Sequence, residues 1–416
     1  MWDKEKMRIL MLGWELPPHY VGGMGIVCDQ LTRHMANSGA EIEFILPFEA
    51  DYSHISHMKV TPAIHQHAKL LMDGGSTYDS FRYEVTTING TKNVRTLHEQ
   101  VELFAQNVSS MTNLGEYDVI HAHDWLTFRA GLALKQKSGM PLFVHVHATE
   151  FDRAGGKHGN PLVHDIEYVG FHMADHIFVL CERQKNIIVE NYHVSPDKIS
   201  IAENYMEIPA HLRIEEHETY PYLVKMRELG YGVVLNAGRM TVQKGIFHLI
   251  TAAQKVVATR PKTLFLFVGG GEQIPELLEY AASLGLAGNV IFTGRVEGVG
   301  KQWRDSFRAA DLFVMPSVSE PMGLVPYESI AYGAPTLVSK QSGIVEYLTN
   351  TLKVDYWDTD EMANQICAVL ENNDLRQTLL QNAQNEYDKR SWKGTASHIL
   401  DSYNRVLTQQ REASYV

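Results

Sequence analysis

The chain has 416 residues and a formal charge of −12, with 37 Lys and Arg set against 49 Asp and Glu. Two to three domains are expected at that length, and 44% hydrophobic with 21% charged residues fits a soluble globular enzyme and excludes a disordered or fibrous chain. The acidity disfavours nucleic acid and anionic membranes as partners, and three scattered cysteines (Cys28, Cys181, Cys367) exclude a disulfide framework or a thiolate zinc site.

From the amino terminus, Met1–Lys6 leads into an apolar run that stops at Glu15, which is no signal peptide. No stretch reaches the ~18 apolar residues of a membrane span, so a cytoplasmic setting is expected. Strands are predicted at Arg8–Leu12, Glu41–Leu46, Asp118–Ala122, Leu142–His147 and His176–Leu180. A second set is predicted at Gly232–Asn236, Thr263–Val268, Asn289–Phe292, Asp311–Met315 and Thr336–Ser339. Most are unalternated Val/Ile/Leu/Phe runs, as strands covered on both faces require. Helices are predicted over Gly25–Asn37, with Val27, Leu31 and Met35 on one side, and over Lys244–Thr259, where Ile246, Leu249, Ile250, Ala253, Val256 and Val257 recur at helical period.

This repeated strand–helix–strand order implies an α/β fold of two Rossmann-like, doubly wound parallel-sheet domains. The first is expected over residues 1–210, with about 48–115 as an insertion, and the second over 211–390. The charged, proline-containing stretch Met206–Arg227 reads as the linker. Open α/β sheets bind ligands at the carboxyl ends of their strands, where the strand order reverses. With two sheets, the cleft between them is the expected site.

Four strand ends carry residues with chemistry. After the first strand, Gly13–Pro18 is followed by Gly22-Gly23-Met24-Gly25, a glycine-rich helix start whose free amides suit an anion. The spacing fails the dinucleotide fingerprint, because Cys28 stands where a third glycine is needed. Gly238-Arg239 and Lys244-Gly245 put two cations five residues apart at a strand end. On an acidic protein, that placement fits a nucleoside diphosphate leaving group whose charge grows as it departs. Ser319-Glu320-Pro321-Met322-Gly323-Leu324 precedes a helix whose first amides face the cleft, and Glu328 on that helix suits a ribose diol. His121-Ala122-His123-Asp124 and His145-Val146-His147 close two further strands. His121 and His123 share a face, but no third or fourth ligand accompanies them, so no metal is expected. Asp358-Thr359-Asp360 reads as a helix cap rather than a metal motif.

Together these motifs resemble the family-4 retaining glycosyltransferases of the GT-B fold, over essentially the whole chain. Gly13–Pro18, His121–Trp125 and His147–Asp152 are most similar to the glycogen and starch synthase branch. The resemblance implies roles by position. Gly22 and Gly23 would lie against the donor pyrophosphate, Arg239 and Lys244 would bind its oxygens, and Gly323, Leu324 and Glu328 would complete the donor site. Glu320 would face the transferred sugar, His147 would contact it near the reacting carbon, and Asp124 would lie close to sugar or acceptor. The resemblance also implies terminal helices over 391–416 that cross back to the first domain, and a reaction needing no cofactor or metal.

The expected partners are a nucleotide-sugar donor, UDP- or ADP-glucose, and a glucan or small hydroxyl acceptor. Two departures bear on the sugar and nucleotide: Tyr20 replaces a lysine frequent before the paired glycines, and Glu203-Asn204-Tyr205-Met206 replaces the usual Asn-Gly pair. The alternatives are transfer to a lipid or cell-envelope intermediate, or a non-catalytic homologue serving as a scaffold.

Overall fold

A computed structural model describes residues 6–19, 22–63, 67–71, 82–86, 92–112, 117–157, 159–213, 219–296 and 300–414. In the first half, the strands are β1 (Arg8–Leu12), β2 (Glu41–Leu46), β3 (Lys59–Pro62), β4 (His67–Leu71), β5 (Arg82–Thr86), β6 (Lys92–Arg95), β7 (Val119–His123), β8 (Leu142–His145), β9 (His176–Val179) and β10 (Ile199–Ile201). In the second half they are β11 (Gly232–Ala237), β12 (Thr263–Val268), β13 (Val290–Gly294), β14 (Leu312–Met315), β15 (Thr336–Ser339) and β16 (Leu352–Val354).

The first sheet runs β10-β9-β8-β7-β1-β2-β3 and the second β13-β12-β11-β14-β15-β16. Every pairing within both is parallel. Both orders start from a central strand, add neighbours on one side, then return to the other. This is the doubly wound arrangement whose switch points lie between β1 and β7 and between β11 and β14. The expected α/β class with two Rossmann-like sheets is what the chain adopts. β1, β7, β8, β11, β12 and β14 are buried nearly throughout, which is why their apolar residues do not alternate.

Differences from the predicted elements are local. β8 stops at His145, so Val146 and His147 leave the strand toward the cleft. The stretch 48–115 contributes β3 to the first sheet, and β4, β5 and β6 form a separate three-stranded antiparallel sheet. Its helix Leu97–Ser109 carries a Thr96/Glu99 capping box. Within the stretch read as linker, helix Pro221–Glu228 buries Leu223, and Arg227 pairs with Asp311. Asp358 Oδ1 accepts from the Glu361 amide at 3.0 Å and caps helix Thr359–Glu371. Helix Trp392–Ser414 lies on the first domain: Trp392 Nε1 donates to Gln30 Oε1 at 2.9 Å, and Tyr403 packs on Phe143 with ring centroids 4.5 Å apart. Among the described residues, no helix is long and apolar enough to cross a membrane.

Candidate active site

Loops after β1, β7 and β8 build the first domain's side of the cleft. Gly22 and Gly23 are exposed at the start of helix Gly23–Asn37. The amides of Gly22 and Gly25 donate to Glu15 Oε1 at 3.3 and 3.2 Å. An internal carboxylate therefore takes the place where a helix start favours an anion. After β7, Asp124 is 2% exposed and holds φ 56° with ψ 169°, a region close to glycine-only that costs on the order of 1–3 kcal/mol. Its own bonds hold it there. The Asp124 amide donates to the His145 carbonyl at 2.9 Å, and Oδ1 accepts from the amides of His147 at 2.7 Å and Ala148 at 3.4 Å. One strained residue thus ties the end of β7 to the loop that presents His147.

Behind that loop, four imidazoles form a row. His121, His123 and His145 are buried and His147 is half-buried. Burial lowers all four pKa values; neighbouring imidazoles reinforce this at His121, His123 and His145, while Asp124 partly opposes it at His147. The rings are therefore neutral at pH 7. His147 Nε2 lies 2.9 Å from His123 Nδ1, and Asn204 Nδ2 donates to His147 Nδ1 at 3.2 Å. His121, His123 and His145 bring ring nitrogens within 4.8 Å of one another, and Cys28 Sγ lies as close to ring nitrogens of His123 and His147. The ring planes run from tilted to near-parallel: His121 lies at 38° to His123 and 56° to His145. His145 and His147 stack at 19°, His123 and His147 at 23°, and His123 and His145 at 29°.

Loops after β11, β12 and β14 form the opposite side. Their close approach needs glycine: a Cβ on Gly269 would sit 1.8 Å from the Gly238 carbonyl oxygen, and one on Gly245 2.1 Å from that of Pro316. On this support, Lys244 Nζ pairs with Glu320 Oε2, which also accepts from Ser317 Oγ at 3.3 Å. Gln243 joins the loops after β11 and β14. Its Oε1 lies 3.5 Å from Arg239 Nη2, and its Nε2 donates to the Ser319 carbonyl at 3.0 Å. Arg239 itself is exposed. Glu328 is 5% exposed and accepts from Trp303 Nε1 at 2.7 Å. Burial pushes its carboxyl up to about 7, with the Trp303 bond pulling the other way.

The two sides meet. A Cβ on Gly23 would lie 3.0 Å from Leu324 Cδ1, so the paired glycines face the Gly323-Leu324 turn directly. Ser319 Oγ donates to Asp152 Oδ1 at 2.8 Å, Arg183 Nη2 donates to Ser319 Oγ at 2.9 Å, and Cys181 Sγ donates to the Pro321 carbonyl at 3.0 Å. The switch points of both sheets therefore open onto one cleft, with Gly23 on one side against Leu324 and the Lys244–Glu320 ion pair on the other.

That arrangement matches known proteins over both halves. Residues 8–181 match the family "Starch synthase catalytic domain", and residues 226–386 match "Glycosyl transferases group 1". The chain belongs to the GT-B glycosyltransferases. It is similar to an uncharacterised glycosyltransferase of Methanocaldococcus jannaschii, at 28% identity covering 96% of this chain and 99% of the other. A glycogen synthase of Mycobacterium tuberculosis is 26% identical, over 83% of this chain and 80% of its own. Among solved structures, HepE of Anabaena in complex with UDP and glucose superposes with a TM-score of 0.68 at 18% identity, covering 96% of this chain and 100% of that one.

Within this glycosyltransferase, Gly23 meets Leu324 across the cleft, and Lys244 pairs with Glu320. Asp124 lies beneath the His147 loop, with Oδ1 accepting from the His147 and Ala148 amides and Arg153 Nη1 4.0 Å from Oδ2. Sequence reasoning missed Gln243 and Trp303, and named Asn204 and His145 without a contact for either. Gln243 sits between the two noted cations, and its position was the available signal. Trp303 and Asn204 come from a distant helix and from the segment joining the domains, and no spacing pointed to them. His145 appeared in the sequence beside His147; its stacking on His123 and His147 is a product of strand pairing.

Proposed function

We propose that this glycosyltransferase moves a hexosyl group, glucose first, from UDP- or ADP-glucose to a glucan or another hydroxyl acceptor, with retention at the anomeric carbon and no bound metal. The observation that carries the reading is the Lys244–Glu320 pair at the second switch point, opposite the paired glycines. In this reading the entering diphosphate draws Lys244 and Arg239 to its oxygens, Glu328 accepts from the ribose diol, and Glu320 turns to the sugar. His147 contacts the sugar near the reacting carbon. As the bond from the anomeric carbon to the phosphate oxygen breaks, fixed cations and amides stabilise the growing charge. The acceptor oxygen bonds to the same face of that carbon, and its proton passes to the departing phosphate oxygen. His147 makes a poor base in this scheme, since both its ring nitrogens are already hydrogen-bonded.

Glycogen-synthase-like motifs in the first half support a glucan acceptor. A second reading, a lipid-linked acceptor, draws on one observation: Leu162, Tyr168, Val169 and Met173 are exposed along helix Pro161–Met173. A donor panel scored for nucleoside diphosphate release tests both, with glycogen, maltooligosaccharides and a polyprenyl phosphate as acceptors. An α-linked product from an α-linked donor supports retention, and an inverted product overturns it. Absence of nucleotide binding and turnover across the panel would favour the scaffold reading.

A further inference from the structure

His147 is held by a residue that belongs to neither sheet. Asn204 follows β10 by three residues, in the segment that joins the two domains, and is 2% exposed. Its side-chain amide donates to His147 Nδ1 at 3.2 Å. With Nδ1 accepting, the His147 proton sits on Nε2 and is donated to His123 Nδ1, 2.9 Å away. His123 then carries its own proton on Nε2. One amide thus sets the tautomers of two rings, while His145 stacks on His147 with centroids 4.6 Å apart and fixes its tilt.

The segment carrying Asn204 is anchored from the second domain and from the C-terminal helix. Arg390 Nη1 donates to both carboxylate oxygens of Glu203 at 2.8 and 2.7 Å, the Tyr327 hydroxyl donates to Glu203 Oε1 at 3.0 Å, and Thr395 Oγ1 donates to the Glu203 carbonyl at 3.0 Å. Tyr327 is the immediate neighbour of Glu328, the residue expected at the ribose. Asn204 Oδ1 is buried with no partner among the described residues. Leaving a buried acceptor unpaired is costly, and packing alone gives no reason for it. An amide placed for its N–H end does.

We propose that Asn204 is the positioning residue for His147, holding the ring in one tautomer and one orientation from the interdomain segment. This rests on the reading of His147 as the group facing the donor sugar. Displacing such a ring by a fraction of an ångström costs rate more than binding, so Asn204→Ala is expected to lower kcat about 10- to 100-fold with little change in donor KM.

The test is a cycle of Asn204→Ala and Asn204→Asp in the wild-type and His147→Ala backgrounds. Nucleoside diphosphate release is measured with an accepted donor, and the histidine ring nitrogens are read by NMR after 15N-histidine labelling. Asn204→Asp keeps the shape but offers an acceptor, so Nδ1 must carry the proton. The expected results are a flipped His147 tautomer and reduced kcat in Asn204→Asp, and no further loss from either Asn204 change once His147 is alanine. Independent losses in the double variants, or wild-type kcat in Asn204→Asp despite a flipped tautomer, overturn the proposal. If His147→Ala alone leaves turnover intact, the reading of His147 fails first, an outcome distinct from additive losses. Should Asn204→Ala not fold, the isosteric Asn204→Asp decides.

Discussion

Replacing Lys244 with alanine separates the chemistry of the cleft from its stability. The Lys244 side chain is 19% exposed and that of Glu320 10%, so the pair is largely withdrawn from water. The variant loses a cation aimed at the leaving diphosphate, and it leaves Glu320 with a negative charge whose remaining described partner is the Ser317 hydroxyl at 3.3 Å. Removing one positioned donor of this kind costs about 2.7–4 kcal/mol of transition-state stabilisation, or about 100- to 1,000-fold in turnover. The stranded carboxylate adds repulsion toward the phosphates, so the loss is expected at or above the lower figure. Stability falls too, by less than the about 3–5 kcal/mol seen when one partner of a fully buried pair is deleted.

Those two effects have different cures. In the double variant Lys244→Ala/Glu320→Gln, the unpaired charge is gone, so the thermal midpoint recovers while turnover stays low. Release of nucleoside diphosphate in a coupled pyruvate kinase assay measures the first quantity, and calorimetry the second. Turnover within threefold of wild type with any accepted donor would refute the assignment of Lys244 to the phosphates, and full recovery of turnover in the double variant would make its role merely one of neutralising Glu320.

Three further outcomes are expected. Glu328 has a raised folded-state pKa of about 7 against an ordinary value of 4.5, so it favours folding below the ordinary value and that contribution is lost as pH rises to about 7; donor binding, which needs the ionised carboxylate, should weaken below pH 7, and isothermal titration calorimetry of Glu328→Gln should show that limb flattened. Treatment with EDTA should leave the rate nearly unchanged, and its abolition would bring a metal into the mechanism. Gly269→Ala should destabilise the second domain by at least about 1–3 kcal/mol, because φ is 139° and the new Cβ would lie 1.8 Å from the Gly238 carbonyl oxygen; Gly288→Ala, with open space around it and no unusual φ, should leave the melting temperature unchanged.

The fold was legible because its strands are buried on both faces. An unalternated run such as Thr263–Val268 has one compatible environment, and its bounds came out unchanged. Short or half-exposed strands gave no such pattern: Lys59–Pro62 runs exposed and half-buried throughout, and Ile199–Ile201 and Leu352–Val354 are three residues each. The chemistry-bearing loops were legible for a related reason, since a doubly wound sheet delivers its functional residues at strand ends that the apolar runs mark. What could not be read was which polar groups meet across the fold. Trp303 reaches Glu328 and Asn204 reaches His147 over separations of 25 and 57 residues, and neither pairing leaves a periodicity. The histidine row shows the same limit. Its members were visible, but how the rings stack on one another follows from the register of β7 on β8.

On the proposed function, a protein of net charge −12 must attract a diphosphate. At physiological ionic strength the Debye length is about 8 Å, so most of that charge is screened from a ligand already in the cleft. On that reading the ligand meets local groups: the helix-start amides of Gly22 and Gly25, and the ammonium of Lys244. In the unliganded protein each of these has an internal carboxylate as its partner, Glu15 for the amides and Glu320 for the ammonium. Such pairing spares the resting enzyme an uncompensated buried charge. It also sets a condition on binding, because a donor must displace or recruit both carboxylates. Glu15→Gln should therefore bind nucleoside diphosphate more tightly than wild type while keeping the fold. Weaker binding in that variant would mean that Glu15 shapes the glycine turn for the donor rather than competing with it.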